Sequence, residues 1–152
     1  MQFFFMNVNF DQINEVDYWI GKRNFAPIFY GQSTIRQILE DDGHNLKPLA
    51  LKDAKSFLET MTDKRDCLIV SIGNEYIYFF SQNGDLVELE DYKGEIVKGC
   101  VIEIVKKVKI KDTPLILASI KANRYLSSGT FKPLSLDKNF GNIKAIEYVL
   151  SQ

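Results

Sequence analysis

Three runs rich in β-branched and aromatic residues, 67–72, 76–80 and 86–89, follow one another with Gly73-Asn74 and Asn83-Gly84 between them. Asn and Gly reach the positive φ angles that tight turns need, so the stretch predicts a three-stranded antiparallel meander. Leu68, Ile69, Phe79 and Phe80 fall on both of its faces. Such a sheet must be covered by other elements or curled on itself.

Residues 3–10 are aromatic and punctuated by Asn, which predicts a strand. The next ten fit two patterns: Ile13, Val16 and Ile20 share a helical face with Asp11 as cap, while Val16, Tyr18 and Ile20 share a strand face. The reading adopted is a short helical turn followed by a strand over 17–20. Pro27 and two glycines break any period across 21–31, which reads as a loop. Thr34-Ile35-Arg36-Gln37 is a capping box, and Ile35, Ile38 and Leu39 on one face with Gly43 as terminator give a short helix over 33–42. After Pro48, the i, i+3, i+4, i+7 spacing of Ala54, Phe57, Leu58 and Met61 gives a second helix over 51–62, expected to lie against the meander.

Beyond the meander, 95–112 is too β-branched for a helix and too long for one flat strand. It predicts two strands, or one bent strand with a bulge near Gly99 or near 105–107 where the alternation slips. Residues 115–121 form another apolar segment, 130–134 a short strand, and 142–151 a helix capped by Asn142 with Ile143, Ile146 and Leu150 inward. The fold class is α+β: a small bent or closed antiparallel β-barrel with three to four short packing helices.

At 152 residues the chain fits one domain over 1–152, whether whole or part of a longer protein. The start carries no basic segment and no small-residue cleavage site, and no run approaches the roughly 20 apolar residues of a membrane span. The expectation is a cytoplasmic protein without a membrane partner. Net charge is −1, but residues 1–95 hold 9 Lys and Arg against 16 Asp and Glu, and residues 96–152 hold 10 against 4. That split fits either a polyanion-facing surface in the second part or two complementary portions of one domain.

Catalytic chemistry has little to stand on. Cys67 and Cys100 lie in apolar strand-like runs, no C-x-x-C pair exists, and His44 is the sole histidine, in a turn-like D-D-G-H-N. This rules out a conventional structural zinc site and leaves His44 as the one candidate base for a nucleophile, so the expectation is a non-enzyme with no metal and no cofactor. Phosphate-cradling glycine motifs are absent. A small metal-dependent nuclease using Glu88, Asp91 and Lys93 is a remaining alternative.

Binding chemistry is better represented. Lys107, Lys109 and Lys111 alternate with Val108 and Ile110, which places ammonium groups on one strand face, where they can track a phosphate backbone. The same row also suits a solvated or protected edge strand. Tyr18 and Trp19 are followed by Lys22, Arg23, Asn24, Phe25, Phe29 and Tyr30, and Arg124-Tyr125 is a second basic-aromatic spot. Rings interleaved with cations suit base stacking combined with phosphate contact. The candidate nucleic-acid-binding residues are therefore Tyr18, Trp19, Lys22, Arg23, Asn24, Tyr30, Lys107, Lys109, Arg124 and Tyr125. The rival reading is a protein-interaction or assembly module using the aromatic stretch 24–30.

The order of these parts resembles the PUA-like superfamily. Tyr18-Trp19-Ile20, the helices that follow, a charged residue opening D-C-L-I-V-S-I-G, a hairpin strand, a bent basic strand and a late G-T-F-K-P-L carry the likeness. That superfamily includes the EVE and YTH domains, and the chain also resembles the N-terminal recognition domains of archaeal McrB-type modification-dependent restriction proteins. Gly21-Lys22-Arg23-Asn24 is similar to the G-x-R-N that marks the EVE pocket, although here it follows Tyr-Trp-Ile at once. The resemblance implies a small β-barrel whose aromatic-lined cavity accepts a flipped, often modified base, with Tyr18, Trp19, Arg23 and Asn24 at the pocket. It implies a nucleic-acid partner, DNA ahead of RNA, and further domains or subunits of a defence system.

Overall fold

A computed structural model describes residues 1–40, 46–112 and 130–152. Its elements are β1 (Gln2–Met6), β2 (Asn9–Phe10), β3 (Ile13–Asn14), a π-helix (Asp17–Lys22), β4 (Phe25–Ile28), α1 (Ile35–Leu39), α2 (Pro48–Thr62), β5 (Cys67–Ile72), β6 (Tyr76–Gln82), β7 (Val87–Tyr92), β8 (Glu95–Lys109), a 3₁₀ turn (Ile110–Asp112), β9 (Phe131–Leu134) and α3 (Leu136–Ser151). The main sheet runs β4-β8-β6-β5-β1-β9, with β7 also paired to β8.

The fold is α+β, with this sheet curled into a half-barrel and a few helices packed on it. It differs from an all-antiparallel barrel at one point: β1 pairs with β5 in parallel, Phe4 facing Ile69, and with β9 antiparallel. The long crossover through β4, α1 and α2 makes that parallel pair possible.

Alternation along β5 and β6 divides the interior in two. Cys67, Ile69, Tyr78 and Phe80 face a core with Phe4, Met6, Trp19, Phe57 and Phe131, while Leu68, Val70, Ile77 and Phe79 face a second core. The second core is covered by Ile143, Ile146 and Val149 of α3. Both faces of β5 and β6 are thus buried, which is why their sequences read as unbroken apolar runs.

The expected meander holds for β5 and β6 but not for its third strand. Gln82 of β6 faces Ile102 of β8 and Val87 of β7 faces Gly99, so β7 continues along β8 instead of turning back on β6. The true tight turn is Lys93-Gly94, both at positive φ, joining β7 to β8. Asn83-Gly84 interrupts the pairing, with the Asn83 N–H still donating to Val101 O at 2.8 Å.

Strand β8 is a single bent strand whose register slips where Phe79 faces Lys106 and Phe80 faces Ile104. Val105 is the extra residue, within the expected 105–107 interval. Residues 25–28, expected as loop, form edge strand β4, where Pro27 is tolerated because its missing N–H falls outside the ladder. Gly99 is required opposite it, since a Cβ there would overlap the Ala26 carbonyl.

Residues 17–20 belong to the π-helix, not to a strand. The Thr34 capping box forms with both reciprocal bonds, Gln37 N–H to Thr34 Oγ1 at 3.1 Å and Thr34 N–H to Gln37 Oε1 at 2.9 Å. Helix α2 starts earlier than expected, with Pro48 in its first turn, and buries the anticipated Ala54, Phe57, Leu58 and Met61. Helix α3 likewise starts at Leu136 after Ser135, leaving Asn142 inside it and not at its cap. The segment 115–121 and His44 lie outside the described residues.

Candidate nucleic-acid interface

The two tyrosines of β6 that face the first core share their side of the sheet with the lysines of β8: Tyr76 pairs with Lys109 and Tyr78 with Lys107. The Lys107 ammonium sits 4.6 Å above the centre of the Tyr76 ring. Beyond the strand end, Asn74, Glu75, Tyr76, Lys109, Ile110 and Lys111 line a shallow hollow of about 460 Å³. Lys107, Lys109 and Lys111 are all exposed residues. Three cations and a half-buried ring can attract and hold a polyanion here, with Glu75 as the one carboxylate in the lining.

The hollow is braced from below by Asp17, the first residue of the π-helix. Its Oδ2 accepts from the backbone N–H groups of Asn74 at 2.8 Å and Glu75 at 3.1 Å, and its Oδ1 accepts from the Tyr78 hydroxyl at 2.8 Å. Gly73 permits this approach, because a Cβ would collide with the Asp17 carboxylate. Burial, and then the bond to Asp17, pushes the Tyr78 phenol above its ordinary range. Gly21 of the π-helix lies against the Tyr78 ring, because a Cβ there would meet the phenol.

The aromatic stretch after Glu15 is closed off. Trp19 is 1% exposed, its Nε1 donates to Glu15 Oε1 at 3.2 Å, and the Arg23 guanidinium covers its ring at 4.6 Å. Glu15 Oε2 also accepts from the Tyr92 hydroxyl and the Lys93 ammonium. Phe25 and Phe29 are buried with Trp19 and Phe25–Ile28 form strand β4, so these rings belong to the core and not to an exposed aromatic loop. Tyr18 keeps 41% exposure and stacks on Tyr92 at 6.4 Å. Asn24 is exposed at φ 51°, and its carbonyl accepts from Ile102 N–H at 2.9 Å.

Tyr30 lies elsewhere, in a separate cleft, donating to Thr130 Oγ1 at 2.7 Å; burial pushes its phenol up to about 12. Of the expected residues, the structure sets Lys107 and Lys109 on one face of β8, holds Tyr18, Trp19 and Arg23 in a cluster on the π-helix, and leaves Lys22 exposed at the end of that helix. Arg124 and Tyr125 lie outside the described residues. Tyr76, Asp17 and Tyr78 were missed in the sequence; the Y-I-Y alternation opposite K-V-K was the available signal.

Two of the alternative nuclease residues hold structural bonds. Glu88 Oε1 accepts from Ile35 N–H at the start of α1, and Lys93 turns to Glu15. Among the described residues no group of three or more His, Cys, Asp or Glu is placed to hold a metal ion. Both cysteines are buried thiols, with burial pushing Cys67 up and Cys100 up to about 12, which leaves them unreactive. Among the described residues no helix is long and apolar enough to cross a membrane. No family model, curated protein or solved structure matches the chain.

Proposed function

We propose that this chain is a nucleic-acid-binding recognition module whose contact face is the β6–β8 end of the sheet. The observation that carries it is the Lys107 ammonium over the Tyr76 ring, with Lys109 and Lys111 flanking the adjoining hollow. A half-buried tyrosine offers a surface for a base edge or sugar, and lysines at period two meet successive phosphates. DNA stands ahead of RNA, and a PUA-like relationship would make the chain the reader of a restriction or defence system. Tyr18, Lys22 and Arg23 would extend the face around the π-helix, whereas Trp19 supports it from within.

The experiment is fluorescence anisotropy with labelled single-stranded, duplex, methylated and RNA oligonucleotides over a salt series. Binding that weakens steeply with salt supports the reading, at roughly 0.7–0.9 in log–log slope per phosphate contacted. No association at about 50 mM salt with any of them would end it.

A second reading, an assembly module, is favoured by Val87, Val101 and Val105 of the β7–β8 hairpin, which are 41%, 47% and 56% exposed. Sedimentation over a concentration series separates the two, since self-association that persists without nucleic acid belongs to the second alone.

A further inference from the structure

On a different part of the surface, five chain segments close around a cleft of about 240 Å³: the β1–β2 link, the β2–β3 turn, the end of β4, the start of β8 and the residue before β9. Its polar lining comes from Asn7, Asn9, Asp11, Tyr30, Glu95 and Thr130, over a wall that includes Phe29. No lysine or arginine lines it. The Tyr30 hydroxyl hydrogen is committed to Thr130 Oγ1. The charged groups of the lining are two carboxylates, those of Asp11 and Glu95.

One oxygen of Glu95 accepts from Gly31 N–H at 2.5 Å, which fixes that carboxylate at the rim. Asp11 sits at the tip of the β2–β3 turn and has no hydrogen-bond or ion-pair partner among the described residues. An anion entering here would meet both carboxylates, so the cleft is less suited to phosphates than the lysine face is.

The geometry points to a second, oppositely charged binding site in this cleft, which takes a small organic cation, a guanidinium group, between Asp11, Glu95 and the Phe29–Tyr30 wall. A guanidinium presents planar donors that match carboxylate and amide acceptors and tolerates an aromatic neighbour. A metal ion is the poorer fit, because no three acidic or imidazole groups converge among the described residues and rings do not replace a hydration shell. The cleft is smaller than the about 300–1,000 Å³ of pockets for drug-sized ligands, so its occupant is a single side chain or a comparably small amine.

The test is ¹⁵N–¹H NMR titration of the whole chain with N-acetyl-arginine amide, its neutral isostere N-acetyl-citrulline amide, adenine and MgCl₂. Saturable shifts of the Asn9, Tyr30 and Gly31 amides with the arginine probe are expected, with citrulline at least about tenfold weaker. Asp11→Asn, at a positive-φ position that Asn adopts readily, should weaken the arginine probe severalfold while the spectrum elsewhere stays unchanged. The proposal is overturned if arginine and citrulline bind alike, if adenine or Mg²⁺ alone shifts these amides, if nothing binds, or if Asp11→Asn binds as tightly as wild type. Because none of these probes is a polyanion, each outcome is independent of nucleic-acid binding at the lysine face.

Discussion

The Tyr78 hydroxyl donates to Asp17 Oδ1 at 2.8 Å, tying the π-helix to the strand that carries the proposed binding face. The same carboxylate holds the Asn74 and Glu75 N–H groups at the β5–β6 turn. Asp17→Ala removes an acceptor from a buried phenol and from two turn amides, and should cost about 2–3 kcal/mol in urea unfolding. Asp17→Asn keeps one acceptor oxygen and should cost about half as much. Tyr78→Phe and the double variant complete a cycle in which the pair should couple by roughly 1 kcal/mol or more. Strictly additive losses would show that the bond contributes nothing of its own.

On the binding face, Lys107→Ala and Lys109→Ala should each weaken oligonucleotide binding at low salt and flatten the salt dependence by about one contact. Tyr76→Phe keeps the ring under Lys107 and should leave affinity near wild type, whereas Tyr76→Ala should cost about 1–3 kcal/mol if a base rests on it. An equal loss for Phe and Ala would point to the hydroxyl and away from stacking.

Gly99 gives a purely structural prediction. A Cβ at this position would overlap the Ala26 carbonyl of the neighbouring strand, and backbone in a paired edge yields little. Gly99→Ala should lose about 1–3 kcal/mol in thermal or urea unfolding, as overpacking does. Gly141→Ala meets no atom within 4 Å in the middle of α3 and should be neutral or stabilising. Equal stability of the two variants would place β4 further from β8 than described.

How far these features were legible depended on whether local chemistry or distant partners decided them. The Thr34 capping box, the stripe of Ala54, Phe57, Leu58 and Met61, and the slip near Val105 rest on spacing within one segment, and each forms where the pattern placed it. Strand β4 was unreadable because Phe25–Ile28 has no period of its own; it becomes a strand only through the edge of β8. The third strand of the meander was misassigned because Asn83-Gly84 carries a stronger turn signal than Lys93-Gly94, yet pairing with β8 decided the topology. The lysine row was visible for Lys107 and Lys109, whereas Lys111 falls in the 3₁₀ turn beyond the strand, and their companion Tyr76 was not visible, since that partnership depends on register across two strands.

Lys98 offers a test by pH. It is completely buried, and its ammonium donates to Ser33 O at 2.6 Å and to Gly31 O at 3.4 Å, beneath the loop that carries Tyr30 to the cleft. Burial lowers its pKa from 10.5 to about 8, only partly offset by Glu95 and Glu88. Between about 8 and 10.5 the unfolded chain therefore holds a proton that the folded chain has released, and stability from this group rises with pH across that window. The gap between the two values corresponds to about 3 kcal/mol at most. The raised values of Cys67, Cys100, Tyr30 and Tyr78 act in the opposite sense from about pH 9 upward, because the unfolded chain loses those protons first. Comparison with Lys98→Met cancels these contributions, since both proteins carry them. Urea unfolding from pH 7.5 to 9.5 should show wild type gaining about 2 kcal/mol on Lys98→Met. Parallel stability curves would mean that the amine keeps its ordinary proton affinity inside the fold.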